Sequence, residues 1–340
     1  MRLFLALGAL MLLAGCSGAR KDTRASPARR ETGLQVSASE WQTNFARHTV
    51  PLSGFESGGP GKDGIPAIDN PTFETVAGTA YLTPREPVIE LVVKGKARAY
   101  PIQILIWHEI VNDLVAGVPV AVTFCPLCNT ALVFDRRVRG RRLDFGTTGN
   151  LRNSDLVMYD RQTETWWQQF GGAGVVGRYA GVRLRRVPGR IVAWSVFARR
   201  HPDGEVLARP LAHPTSQASD FLRPYGENPY PGYDDASSPP FFTAAHADDD
   251  RLSPKERVVF VERSGKAVAV PLSVLERRRS IAVDLGGHRL SVQLQGSVTS
   301  PFSGGNVATA EVLENGRPVP FDEPFWFAVA AFRPDVRVVR

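Results

Sequence analysis

Apolar positions along this chain come in short runs cut by turn residues, a pattern that predicts strands more than long helices. Residues 88–93 are mostly apolar and β-branched, Lys94-Gly95 makes a turn, and 97–100 returns, which predicts a hairpin ended by Pro101. Ile102, Leu105, Ile106 and Ile110 recur at spacings of three and four, predicting a short helix within 102–111. A continuous apolar strand, 118–124, runs into Cys125, and short strands follow at 132–134, 143–145 and 156–159. Gly171, Gly172 and Gly174 break the chain again, and 193–200 reads as a second short helix ended near Pro202. Frequent short strands among abundant glycine and proline predict an α+β, β-rich protein.

The pattern also repeats. From Leu82 and from Leu252, 10 of 24 aligned positions are identical, including Pro84/Pro254, Gly95/Gly265, Pro101/Pro271 and Leu105/Leu275. Further on, Trp194, Pro202 and Asp203 match Trp326, Pro334 and Asp335, with the offset reduced from 170 to 132. Two related halves from an unequal internal duplication are therefore expected. The first copy would cover 41–218 and the shorter second copy 251–340. Between them, 219–250 is rich in proline and carries Tyr225, Tyr230 and Tyr233, so it reads as a connection that packs against a domain.

The N-terminus follows another pattern. Arg2 precedes an apolar run, 3–13, that is too short for a transmembrane helix of roughly 20 residues but suits a signal segment. The small pair Ala14-Gly15 before Cys16 resembles the lipobox of bacterial lipoproteins. The resemblance implies a signal peptide over 1–15 and lipid on Cys16; an ordinary secretory signal with an incidental cysteine is the alternative. Arg20, Lys21, Arg24, Arg29 and Arg30 then make 16–40 a basic tether, each charge favouring anionic headgroups by ~1 kcal/mol. The expected setting is the extracytoplasmic face of the cell envelope, with membrane lipid as partner through Cys16. Ser17, where an aspartate would favour retention, tilts the choice toward the outer membrane. The net charge of +7 does not signal nucleic acid, because no basic-aromatic strip accompanies it.

With Cys16 assigned to lipid, Cys125 and Cys128 are the remaining cysteines, joined in a Cys-Pro-Leu-Cys motif. Such a pair supplies two metal thiolates, a redox dithiol, or a small structural disulfide. A metal site needs further donors, and His108 with the adjacent Glu109 is the nearest recruit if the chain folds back from helix to strand. Zinc or copper would suit that set. The run His108-Glu109-Ile110-Val111-Asn112 has asparagine where a zinc protease needs its second histidine, which excludes that class. The redox alternative makes Cys125 the nucleophile and Cys128 the resolving thiol. It wants a helix N-terminus at the first cysteine, whereas the residues after Asn129 look like strand. In the third reading the pair is a staple in a non-catalytic envelope assembly or binding module.

The segments around this motif, His108–Asp113, Phe124–Asn129, Leu151–Arg161 and Trp167–Phe170, together with Asn228–Asp234, resemble the bacterial and archaeal family of domain-of-unknown-function 3179. That family implies no activity, so function rests on the residues. The stretch from Arg152 to Phe170 is dense in hydrogen-bonding groups. Arg152, Asn153 and Asp155 either form a buried polar knot at a turn or, with Trp167, the wall of a cofactor pocket. Trp166 and Trp167 should face opposite sides of a strand. His48, His201, His213, His246 and His288 lack ligand-like spacing.

Overall fold

The structure is a computed structural model and describes residues 36–210 and 223–340. The expected signal segment, Cys16, most of the basic tether and His213 lie outside the described residues. Strand makes up 42% and helix 13%, as the short apolar runs predict. No described helix is long and apolar enough to cross a membrane.

The expectation of an α+β protein in two related halves is corrected. Among the described residues the strands form five sheets of three to five strands and one two-stranded ribbon. The five sheets are arranged as a five-bladed β-propeller, in which no two-half duplication is shown. The largest part of the hydrophobic interior likewise crosses the expected halves, with three smaller clusters beside it. One buried cluster takes in Ile89, Val122 and Trp167 together with Val258, Phe260, Trp326 and Val336, so the two matched stretches share a core. The sequence match at 82–105 and 252–275 marks a local unit that occurs twice. Each has a hairpin in one sheet, a seven-residue helix (Ile102–His108 or Leu272–Arg278) and a second hairpin in the next sheet. Proline supplies the residue before each helix (Pro101, Pro271), where a fixed extended backbone hands over from strand to helix. Helices this short hold because their apolar faces are buried; propensity alone does not sustain seven residues.

Two blades carry the site. The first orders Arg186–Val187, Thr130–Asp135, Val118–Cys125 and Ile110–Val115, all antiparallel. Val118–Cys125 lies inside this sheet and is buried on both faces, which is why its sequence is apolar without alternation. Its register pairs Ile110 with Thr123 and Cys125 with Thr130. The second blade orders Glu56–Ser57, Phe145–Arg152, Asp155–Asp160, Trp166–Gln168 and Ala173–Val176. Asn153 and Ser154, both at positive φ, form the two-residue turn between its long strands. Asp155 thereby becomes the first residue of a strand that points into the core.

Candidate metal centre

The chain enters the site along Val118–Cys125 and leaves along Thr130–Asp135, so the Cys-Pro-Leu-Cys motif is the loop of a β-hairpin. Asn129 closes the loop in the left-handed region at φ 56°, a conformation its short amide side chain tolerates better than most. Both cysteines are free and fully buried. Asp155 enters from the neighbouring blade, and ligand atoms of Cys125, Cys128 and Asp155 all lie within 4.8 Å of one another. These three residues could hold a metal ion.

The carboxylate is anchored from behind. Its Oδ2 accepts from Phe170 N at 2.9 Å and Gln168 Nε2 at 2.5 Å, while Oδ1 accepts from Cys128 Sγ at 2.9 Å. Cys128 Sγ also lies 3.0 Å from Thr130 Oγ1, which donates to Gln169 Oε1 at 2.6 Å; Gln169 Nε2 donates in turn to Thr123 Oγ1 at 2.9 Å. These bonds fix the Asp155 and Cys128 donor groups in place.

The electrostatics are one-sided. Burial pushes the Cys125 and Cys128 thiols up, and the Asp155 charge adds to it at both. Burial raises Asp155 to about 6 despite its hydrogen bonds. Burial and then Asp155 raise Glu109 to about 8. The Arg152 guanidinium feels the Asp155 charge but bonds to Gln168 Oε1 at 3.1 Å and forms no salt bridge with the carboxylate. Four acids thus lie buried near one another, with no salt bridge to any of them among the described residues, an arrangement that disfavours their ionisation unless a cation is supplied.

The other expected site residues fall into place around this group. The hairpin register does bring the end of the Ile102–His108 helix beside the strand end, since Phe124 N donates to Glu109 O at 2.8 Å. The His108 ring turns away, however. Its Nδ1 lies 2.7 Å from Pro66 O and its Nε2 2.6 Å from Tyr225 OH, so one nitrogen donates to the carbonyl and the other accepts the phenol proton. Both ring nitrogens are used and burial keeps the ring below its ordinary pKa, so the expected His108 donor is corrected: the group that could hold an ion contains Asp155 and not His108. Glu109, at φ 57° just past the helix, is the helix-end residue coupled to Asp155 and Cys125. Its carboxyl accepts no hydrogen bond from a described residue, though it stands outside the 4.8 Å group.

Arg152 and Asn153 frame the turn that delivers Asp155, and Asn153 Oδ1 accepts from Ala245 N at 3.1 Å. Trp166 and Trp167 do face opposite sides. Trp166 packs against Trp41, Phe45 and Phe55 of the N-terminal segment, which cover it. Trp167 packs against Phe145 and Tyr179 and donates to Asp160 Oδ2 at 2.9 Å, a framework role in place of the expected cofactor contact. The tyrosine-rich connection covers the loop: Tyr233 OH donates to Leu127 O at 2.9 Å, and Lys255 Nζ sits 3.6 Å over the Tyr233 ring. Phe325 N donates to Cys128 O at 2.9 Å, tying a late segment to the motif.

The family described as "protein of unknown function (DUF3179)" matches residues 62–336. The chain belongs to this family. All the candidate ligands of this DUF3179 protein fall within the matched span, whereas Cys16 lies before it. No curated protein and no solved structure matches the chain.

Proposed function

We propose that this DUF3179 protein binds one divalent transition metal ion, zinc first, through Cys125, Cys128 and Asp155, with a fourth position taken by water or by Glu109. The observation that carries the reading is the convergence of two thiols and a carboxylate within 4.8 Å, with no salt bridge to Asp155 among the described residues. Two soft thiolates with a hard carboxylate suit zinc better than copper(I), which favours sulfur throughout. Three protein donors with an open fourth position is the composition of zinc sites that exchange a ligand. The lipobox-like Ala14-Gly15-Cys16 further supports a lipid-anchored protein of the cell envelope, on its extracytoplasmic side.

Elemental analysis of protein purified from the envelope should give close to one zinc per chain, and Cys125→Ser, Cys128→Ser or Asp155→Asn should each remove most of it. Cobalt substitution should show intense near-ultraviolet thiolate absorption. Metal-free protein that retains the native circular-dichroism spectrum and takes up neither ion would refute the reading. Cys16→Ala should abolish labelling by a fatty-acid probe, and unchanged labelling would remove the anchor.

A second reading is a thiol–disulfide exchange pair, favoured by the 2.9 Å contact that lets Asp155 take the Cys128 proton. It is the weaker one, because burial holds both thiols protonated and both are 0% exposed, the reverse of a reactive nucleophile. Native protein that cycles reversibly with a glutathione buffer, and loses the cycling in Cys125→Ser, would favour it over metal binding.

A further inference from the structure

A cavity of about 330 Å³ lies where the 170–186 segment faces the Val258–Arg263 strand and its turn. Its lining joins two chemistries. Leu132, Phe170, Phe260 and Pro320 make an apolar side, and three guanidiniums, Arg183, Arg186 and Arg263, make a cationic side. The carboxylates nearby are largely committed. Glu262 is bridged by Arg333 at 2.8 Å, Arg263 by Glu314 at 3.3 Å, and Asp322 Oδ1 accepts from Ala131 N at 3.1 Å and Glu323 N at 2.8 Å. Arg183 and Arg186 form no salt bridge with any described residue. Arg186 is deeply set, its Nη2 donating to Phe321 O at 2.5 Å while its Nε is buried without a partner. Arg183 is exposed and only reaches Gly171 O at 3.3 Å.

A deeply set guanidinium without a bonded counter-ion is costly, and an anionic ligand would offset that cost. Asp322 and Glu262 act on Arg186 through their charge, but neither bonds to it, and one Asp322 carboxylate oxygen is itself buried without a partner. Inorganic anions would meet the charge but leave the phenylalanine wall uncovered. A cavity of this volume lies at the lower end of the range for small organic ligands.

We propose that this cavity binds a small organic acid, its carboxylate held by Arg186 and Arg183 and its hydrocarbon or aromatic body against Phe170 and Phe260. The site is separate from the Cys125–Cys128–Asp155 group and does not depend on metal binding there. Phe170 is shared between the two, its ring lining the cavity and its N–H donating to Asp155.

The test is calorimetric titration of the full chain, metal-loaded or metal-free, with hexanoate, phenylacetate and inorganic phosphate up to millimolar concentration. Hexanoate or phenylacetate should bind saturably at one site, and phosphate at least about tenfold more weakly. Arg186→Gln should weaken the organic acid by about ten- to hundredfold, as loss of a charge-assisted contact does. Arg183→Gln, on an exposed side chain that leaves the fold intact, should weaken it in the same direction and keeps the test decisive if Arg186→Gln folds poorly. Phenylacetate and hexanoate both failing to bind, binding unchanged in Arg183→Gln and Arg186→Gln, or phosphate binding as tightly as the organic acids would each overturn the proposal.

Discussion

Metal uptake at the Cys125–Cys128–Asp155 group should release a countable number of protons. The perturbation is addition of zinc to metal-free protein at pH 7.5. Both thiols are protonated there, because burial and neighbouring acids hold them above their ordinary value. Thiols bind metal as thiolates, so each gives up its proton on coordination. Asp155, raised to about 6, is almost wholly ionised at pH 7.5 and contributes nearly none. Glu109, raised to about 8, is about three-quarters protonated. The stoichiometry therefore separates the candidates for the fourth position: about two protons if water completes the site, and close to three if Glu109 does. Apparent affinity should rise about hundredfold per pH unit around neutrality, from the two thiol protons alone. Calorimetry in buffers of different ionisation enthalpy reads the proton number directly. A release below one proton, or an affinity independent of pH, would show that the two thiols do not both bind and would sink the assignment.

Asp155→Asn should lower stability by about 1–3 kcal/mol in urea, since an amide cannot accept from Phe170 N, Gln168 Nε2 and Cys128 Sγ together. Metal-free protein should lose stability as pH rises from about 4 through 8. Burial raises Asp155 and Asp322 to about 6 and Glu109 and Glu323 to about 8, so the native state holds protons that the unfolded chain releases near pH 4. Chemical denaturation across that window should show the fall, and a flat or rising profile would contradict it. His108→Ala should leave metal content unchanged while destabilising the fold, because it removes the contacts to Pro66 and Tyr225 and touches no ligand; loss of the metal in a folded variant would restore histidine as a donor. Gly149→Ala should impair folding outright, with φ +73° and an added Cβ 1.9 Å from Pro60 O; soluble yield and melting temperature report it.

Local structure was legible in the sequence because it is set by near neighbours. The turn at Lys94-Gly95 lies between Pro87–Val93 and Lys96–Pro101, and the apolar run at 118–124 is Val118–Cys125. The arrangement of these pieces was less legible. Matching segments suggested halves, but which blade a hairpin joins depends on partners far along the chain, as when Glu205–Leu207 pairs with both Lys96–Pro101 and Phe73–Thr75. The cysteines announce themselves at a spacing of three, and Asp155 does not, since it reaches them from another sheet. A signal was present all the same: a lone aspartate opening the otherwise apolar run Leu156-Val157-Met158-Tyr159, just past a turn made by Asn153-Ser154. His108 misled because its backbone position was right and its ring direction was not. The positive φ of Glu109, which turns the acid to the site, has no sequence signature.

The bond from Phe325 N to Cys128 O joins residues almost two hundred positions apart, and Tyr233 clasps the same loop from the intervening connection. The donor loop is thus finished only when nearly the whole chain has been synthesised and gathered. A nascent fragment ending before Phe325 has both cysteines, Asp155 and the side chains bonded to them, but lacks the Phe325 contact that closes the loop. On the proposed reading, choice of ion would be deferred to the place where folding is completed, and the supply of metals there, more than intrinsic preference among them, would decide which one becomes enclosed. For an exported metal protein, as proposed, any ion bound would record the side of the membrane on which the chain folded.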